Sequence, residues 1–287
     1  MKPPKESSVL IIGLARDIES KIKSEIVNLK TAFSEFLDVQ FLILESDSED
    51  CTIEVLENFS RTDSKFKFKS LGSLRFELPN RIDRISFCRA KAQELAQAMF
   101  LESDYVVLAD LDGVNSLISK EAIGSCWSGP DWDVCTANQK NNYYDIYALR
   151  HPLLAPGDCW LEYLEYRKLG AHPMKALSKA VYNRQLHIPQ DANWIEVDSA
   201  FGGLAIYEAQ TFLSGIYSSR RESGEVVCEH VSFHESLKAK GKRIFINPRL
   251  INSEGVRKGR ISYRLLFAFK YLISLCSPKL FDRKFIR

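Results

Sequence analysis

Apolar runs long enough to cross a bilayer free of charge are missing from this 287-residue chain. Its first residues, Met1 to Glu6, lead into a strand-like segment without the apolar region of a signal peptide. Both absences set the expectation of a body that works in the cytoplasm. Seven cysteines (Cys51, Cys88, Cys126, Cys135, Cys159, Cys228 and Cys276) form no CxxC pair and no regular spacing, and an odd number leaves at least one unpaired. Reduced thiols fit that pattern better than a disulfide framework. A formal charge of only +2 gives no reason to expect nucleic acid as a partner. Internal repeats and low-complexity segments are absent too, and the 45% hydrophobic, 26% charged composition is that of an ordinary globular protein with a large core.

What charge there is sits unevenly. From Val256 to Arg287 nine Lys/Arg face a single acid, Asp282, so this tail carries +8 and the rest of the chain −6. Residues 261–275 (ISYRLLFAFKYLISL) are apolar on most sides with Arg264 and Lys270 embedded. The segment is short for a membrane span and suits an interfacial helix on anionic lipid. A helix packed on the core or at an oligomer interface is the competing reading.

The body reads as alternating strands and helices. Ser8–Leu14 is a continuous apolar run of strand length. Ile18, Ile22, Ile26, Leu29, Phe33 and Phe36 then recur at helical spacing. Val39–Leu44 is a second strand, Thr52–Phe59 opens a second helix, and Phe66–Ser70 is a third strand. This opening predicts a parallel sheet with right-handed crossovers. A helix follows from Arg81 to Met99, and strands are expected at 134–137, 144–149, 195–198, 204–207 and 243–248, with helices between 158 and 190 and over 229–240.

The centre of the chain is Tyr105-Val-Val-Leu-Ala-Asp110-Leu111-Asp112-Gly113. A buried strand here delivers two carboxylates one residue apart to its C-terminal edge, where open α/β sheets bind ligands. Paired carboxylates repel unless a cation neutralises them, and Mg2+ or Mn2+ would leave coordination positions free for phosphate oxygens. A strand ending in a solvated acidic turn is the bland alternative.

With these pieces in order, the chain resembles nucleotide-sugar-dependent glycosyltransferases of the GT-A type, whose mark is a DxD after a central strand. More narrowly it resembles the capsule-associated alpha-mannosyltransferases and their bacterial relatives. The resemblance rests on Leu14-Ala15-Arg16-Asp17, Glu45-Ser-Asp-Ser48 with Asp50 and Thr52, Arg81-x-x-Arg84-Ile85, Asp110-Leu-Asp-Gly-Val114, Tyr143-Tyr-Asp145 to Arg150, Phe201-Gly-Gly203 and Cys228-Glu229-His230. It covers roughly residues 8–255.

The resemblance implies a GT-A sheet flanked by helices over 1–255, with a nucleotide-binding half at about 8–115, an acceptor half at about 116–255, and a separate basic tail from 256. Asp110 and Asp112 would hold the metal against the donor diphosphate. Ala15, Arg16, Asp17 and Glu45 would meet the nucleoside, Glu45 being alternatively a loop acid. Arg81, Arg84 and Arg89, at helical spacing, would reach the diphosphate, with solvated arginines as the alternative. Leu111 lies between the two aspartates in the donor site. Phe201, Gly202 and Gly203 would bring backbone close to a sugar or simply make a tight turn. Asp145 and Arg150 would touch acceptor or donor sugar, or pair with each other. Glu229, His230 and Asp198 are the catalytic candidates, Glu229 as the acid beside the acceptor hydroxyl. His234, one helical turn after His230, is an acceptor or a structural residue. No histidine follows it to complete the metal site, which leaves the Asn252 oxygen as substitute ligand.

The implied activity is hexose transfer from a nucleoside diphosphate sugar to a glycan, possibly lipid-linked, in capsule, lipopolysaccharide or other surface-polysaccharide synthesis, with retention at the anomeric carbon. The enzyme would sit on the inner face of the cytoplasmic membrane. A nucleotidyltransferase and a non-catalytic GT-A-like module remain as alternatives, and less so a haloacid-dehalogenase-type phosphatase, whose motif would lie on the first strand.

Overall fold

In the computed structural model, residues 1–99, 102–256, 269–275 and 277 are described. The first strand, β1 (Ser8–Ala15), is apolar at consecutive positions because both faces of the sheet are covered. Its Leu10 and Ile12 enter the core on one face, Val9 and Ile11 that on the other. Each such side chain taken wholly from water is worth about 1.5–3 kcal/mol. Helix α1 (Glu19–Ala32), strand β2 (Asp38–Glu45), helix α2 (Thr52–Thr62) and strand β3 (Phe66–Ser70) complete the expected parallel opening.

The two loops that follow β1 and β2 cap each other's helices. Asp50 accepts from the Glu19 amide at 3.0 Å and Thr52 Oγ1 from Ile18 at 2.9 Å, while Asp17 accepts from Glu49 at 2.7 Å. Orphan donors of α1 are thus met by side chains from α2's loop. Asn80 caps helix α3 (Arg81–Met99) through the amides of Ile82 and Asp83. It fixes the turn from which Arg81 and Arg84 project.

Strand β4 (Tyr105–Asp110) pairs in parallel with β1 on the side opposite β2, so the order in which strands are added to the sheet reverses there. Helix α4 (Lys120–Gly124), strand β5 (Val134–Gln139), helices α5 (Cys159–Lys168) and α6 (Pro173–Ala180), strands β6 (Ile195–Val197) and β7 (Leu204–Glu208), helices α7 (Ala209–Ser214) and α8 (Glu229–Lys238), and strand β8 (Ile244–Ser253) follow. The eight strands form one sheet of order β3-β2-β1-β4-β7-β5-β8-β6. It is parallel except where β7 runs between β4 and β5 and where β6 borders β8.

Residues 144–149, expected as a strand, are a looped segment whose end, Arg150, forms only an isolated bridge to Ser199. The apolar residues that suggested a strand, Ile146, Ala148 and Leu149, are buried in the main core without strand pairing. Helices α5 and α6 pack on each other through Tyr163, Met174 and Leu177, a small core of their own. Of the basic tail, residues 257–268, 276 and 278–287 lie outside the described residues. All six cysteines among the described residues are free thiols.

Candidate active site

The C-terminal ends of β1, β2 and β4 open into a cleft of roughly 410 Å³. The position is the switch point of the sheet, where diverging loops leave a crevice. Leu14 lies beside Asp110 in the β1–β4 register. Gly13, one residue earlier, has no side chain because Leu111 fills that space: a Cβ there would lie 2.4 Å from Leu111 Cδ1. Leu111 is therefore an anchor in the core, with Asp110 and Asp112 lining the cleft on either side of it.

Asp110 faces a crowd of charge. Arg89, 3% exposed, donates from Nη2 to Asp110 Oδ1 at 3.3 Å. Burial nevertheless pushes the Asp110 carboxyl up to about 7; Arg89 opposes the shift, and Asp112, Asp145 and Glu229 add to it. Arg89 keeps two further donors, Nε and Nη1, buried without a hydrogen-bond partner. Its guanidinium lies 5.6 Å from the Phe201 ring, which stacks on His230 at 3.8 Å between centroids. Burial, reinforced by Arg89 and then His234, holds His230 well below the usual histidine range, so it is neutral. Its Nδ1 has no partner, and its Nε2 is 3.6 Å from Glu229 Oε1. Glu229 and His230 begin α8, and both line the cleft.

The turn before β7 holds the opposite wall. Gly202 and Gly203 adopt φ of +69° and +87°, and a Cβ on Gly203 would meet Tyr144 Oη and Val114 Cγ1 at 2.8 Å. Glycine is thus required by conformation and by space. Gly203 accepts from the Asp110 amide at 3.0 Å, and Asp145 accepts from the amides of Gly202 at 3.1 Å and Ala148 at 3.3 Å. Beneath this turn runs a buried polar network that sequence reading does not find. Asn115 Nδ2 donates to the Asp110 carbonyl at 2.6 Å and to Glu25 Oε2 at 3.0 Å. Asn252 Nδ2 donates to Asn115 Oδ1 at 3.1 Å and to the Gly202 carbonyl at 2.8 Å, and Gln139 Nε2 donates to Asn252 Oδ1 at 3.2 Å.

Several expected roles are corrected by these contacts. Asn252 is fully buried with its oxygen taken by Gln139, so it holds the loops and does not line the cleft. Glu45 is equally closed: it accepts from the Ser48 amide at 2.9 Å and Ser70 Oγ at 2.5 Å. The cleft residues from that loop are Ser46 and Asp47. Asp47, at φ +63°, accepts from the Arg75 amide at 2.9 Å and lies 3.6 Å from Arg84 Nε, with Oδ2 lacking a hydrogen bond. Asp17 caps a loop, whereas Ala15 and Arg16 do line the cleft. Arg81 and Arg84 line it as well, Arg84 partly committed to the carbonyls of Leu78 and Pro79.

Arg150 pairs with Asp158 at 2.6 Å and not with Asp145, and borders a second cavity. Asp198 also borders that cavity, 3.9 Å from Lys238, away from the aspartate pair, which removes it from the catalytic set. His234 is wholly buried between Ser199 Oγ at 3.0 Å and Tyr207 Oη at 2.9 Å, and burial pushes its pKa down to about 3. It is structural.

Among the described residues no three His, Cys, Asp or Glu side chains converge on a metal position. Asp110 and Asp112 would supply two hard oxygen donors, and phosphate oxygens and water the remainder, a set that suits Mg2+ or Mn2+. Burial is the main cause of the raised Asp110 carboxyl, and the neighbouring carboxylates that add to it are the part a cation would relieve.

No family model matches the sequence, and no curated protein matches it. Among solved structures, the chain is similar to a mannosyltransferase from Pyrobaculum calidifontis in complex with GDP-Man and Mn2+ (TM-score 0.52, 11% identity), covering 95% of this chain and 64% of that one. The chain has the GT-A fold. S. aureus TarS with UDP-GlcNAc (TM-score 0.46, 14% identity, 88% of this chain and 60% of that one) is a more distant likeness. Glucosyl-3-phosphoglycerate synthase of Mycobacterium tuberculosis with UDP (0.42, 13%, 94% and 79%) is another. The chain thus spans less than two thirds of the mannosyltransferase and of TarS.

Proposed function

We propose that the chain is a metal-dependent glycosyltransferase that moves a hexose from a nucleoside diphosphate sugar to a glycan. The observation that carries this reading is the juxtaposition of Asp110 and Asp112 with Arg89, a buried guanidinium that borders the cleft and has two donors without a partner. Buried donors without partners are costly unless a ligand completes them. The diphosphate is such a ligand, since it supplies several anionic oxygens. The Mn2+ and GDP-Man bound by the structurally similar mannosyltransferase support the same assignment.

A divalent cation at Asp110 and Asp112 would neutralise charge on the departing diphosphate. Arg89, with Arg81 and Arg84 on the same helix, would bind and orient the phosphates, and Ala15, Arg16 and Asp47 would flank the nucleoside. Phe201 and Gly202 would form the floor under the transferred sugar, whose oxocarbenium-like charge in the transition state is matched by Asp145 and Glu229. Glu229 would accept a hydrogen bond from the acceptor hydroxyl beside the neutral His230. Retention at the anomeric carbon follows from the resemblance to the capsule-associated enzymes and is read from the anomeric signal of the product. A lipid-linked glycan of capsule or lipopolysaccharide synthesis, used at the inner face of the cytoplasmic membrane, is the acceptor this reading favours.

The test is a thermal-shift panel of UDP, GDP and CDP with their sugars, each with and without Mn2+. Stabilisation by one nucleoside diphosphate, dependent on the metal, is expected because ligand bound only to the native state raises its stability by mass action. No shift from any of them overturns the assignment.

A further inference from the structure

The helical residues 269–275 are turned inside out. At 100° per residue, Lys270, Ile273 and Ser274 share one stripe and Tyr271, Leu272 and Leu275 the other. The stripe that faces the protein is the more polar of the two. Lys270 Nζ donates to Tyr182 Oη at 3.1 Å, and burial lowers its pKa. Ser274 is wholly buried, and Ile273 packs on the α5–α6 core. The outward stripe carries Leu272 at 59%, Leu275 at 53% and Tyr271 at 45% exposure, with Phe269 beside them at 54%. Helix α5, on the same small core, likewise turns Leu161 and Leu164 outward.

A helix folded for water alone would bury its leucines and expose its lysine. We infer that residues 269–275 form a membrane-seating face, with an anionic bilayer as the occupant of its outward stripe. Charge complementarity selects that occupant: with Lys270 turned inward, the sequence on either side of the stripe, 257–268 and 276–287, holds eight Lys/Arg against one acid. Basic residues near an anionic leaflet contribute about 1 kcal/mol each, and the outward leucines and aromatics supply the apolar part. No helix among the described residues is long and apolar enough to cross a membrane.

The face is tied to the cleft through a short run of rings. Tyr163, in the α5–α6 core, lies 6.3 Å from Trp160, and Trp160 lies 6.3 Å from Tyr147, which lines the cleft. The seating does not depend on the glycosyl-transfer reading; delivery of a lipid-linked acceptor to the cleft does.

The experiment is cosedimentation of the full chain with phosphatidylcholine vesicles, plain or containing about 30 mol% phosphatidylglycerol. Binding is expected to the anionic vesicles only and to fall at high salt. The double substitution Leu272→Glu with Leu275→Glu is expected to weaken binding at least about 10-fold, with melting temperature and any nucleotide-induced shift unchanged, because both side chains are already exposed. A wild-type chain that ignores anionic vesicles, or a double variant that binds them as well as wild type, overturns the inference. So does a wild-type dimer that the double variant breaks while neither binds vesicles, since the face would then belong to a second copy. A nucleotide panel with no hits alongside intact vesicle binding would remove the proposed function and leave the seat standing.

Discussion

Asp110→Asn is expected to stabilise the protein while removing its ability to bind nucleotide with metal. The substitution keeps the shape of the side chain and an acceptor for Arg89 Nη2, and it deletes the charge. The unfolded chain ionises this carboxyl near 3.8, the folded chain near 7. Between those values the native state retains a proton that the unfolded state has released, so stability falls as pH rises through the window and is lowest above pH 7. For a wholly buried group that displacement is worth about 4 kcal/mol. The Asp110 side chain is 39% open to water within the cleft, which screens it. About 2 kcal/mol is the discounted figure.

For a chain of this size that is a rise in melting temperature of about 4 °C at pH 8. At pH 5 the wild-type carboxyl is already protonated in the fold, and the advantage of the variant shrinks to under about 1 kcal/mol. The assay is a pair of melting curves for each protein at pH 5 and pH 8, with and without Mn2+ and the donor nucleotide. Nucleotide with metal should raise wild type and leave the variant where it was. A variant less stable than wild type at pH 8, or an advantage that does not change with pH, would refute the account of Asp110 as a carboxylate held at a cost for a ligand.

Asp112→Ala should abolish the metal-dependent nucleotide shift with the melting temperature within about 1 °C of wild type, as its side chain is exposed; a retained shift would remove it from the metal site. Glu229→Gln should lower turnover more than donor affinity, and a rate equal to wild type would reduce Glu229 to a wall residue. His234→Ala should cost about 2–4 kcal/mol, because it opens a cavity and leaves the Ser199 and Tyr207 hydroxyls short of a partner. Loss of nucleotide binding without loss of stability would instead place His234 at the ligand.

The pieces legible in the sequence are those whose signal is local. Strand β1, helix α3 and the run into Asp110 each carry their pattern within a dozen residues, and the parallel opening follows from their order. The misread residues depend on partners far away in the chain. Asn252 looks like a spare metal ligand until Asn115, 137 positions earlier, takes its amide and Gln139 its oxygen. Glu45 and Asp47 are both acids of the loop after β2. Only the pairing with β3, which brings Ser70 beside Glu45, closes one and leaves the other on the cleft. His230 and His234 share a face of α8, but His234 meets Tyr207 of β7 beneath the Phe201–His230 stack.

The buried network also fixes the backbone on which the acidic cleft is built. Asn115 grips the Asp110 carbonyl and Asn252 grips that of Gly202, so the two backbone segments flanking the carboxylates are fixed by neutral amides. Neutral donors and acceptors can satisfy each other at full burial, whereas carboxylates brought close repel and need a cation. The division places the rigid, satisfied polar groups below the loops and the charged or incompletely paired ones, Asp110, Arg89 and His230, beside the cleft. On the proposed function, preorganisation of that kind would leave the energy of completing those groups to be supplied by donor and metal.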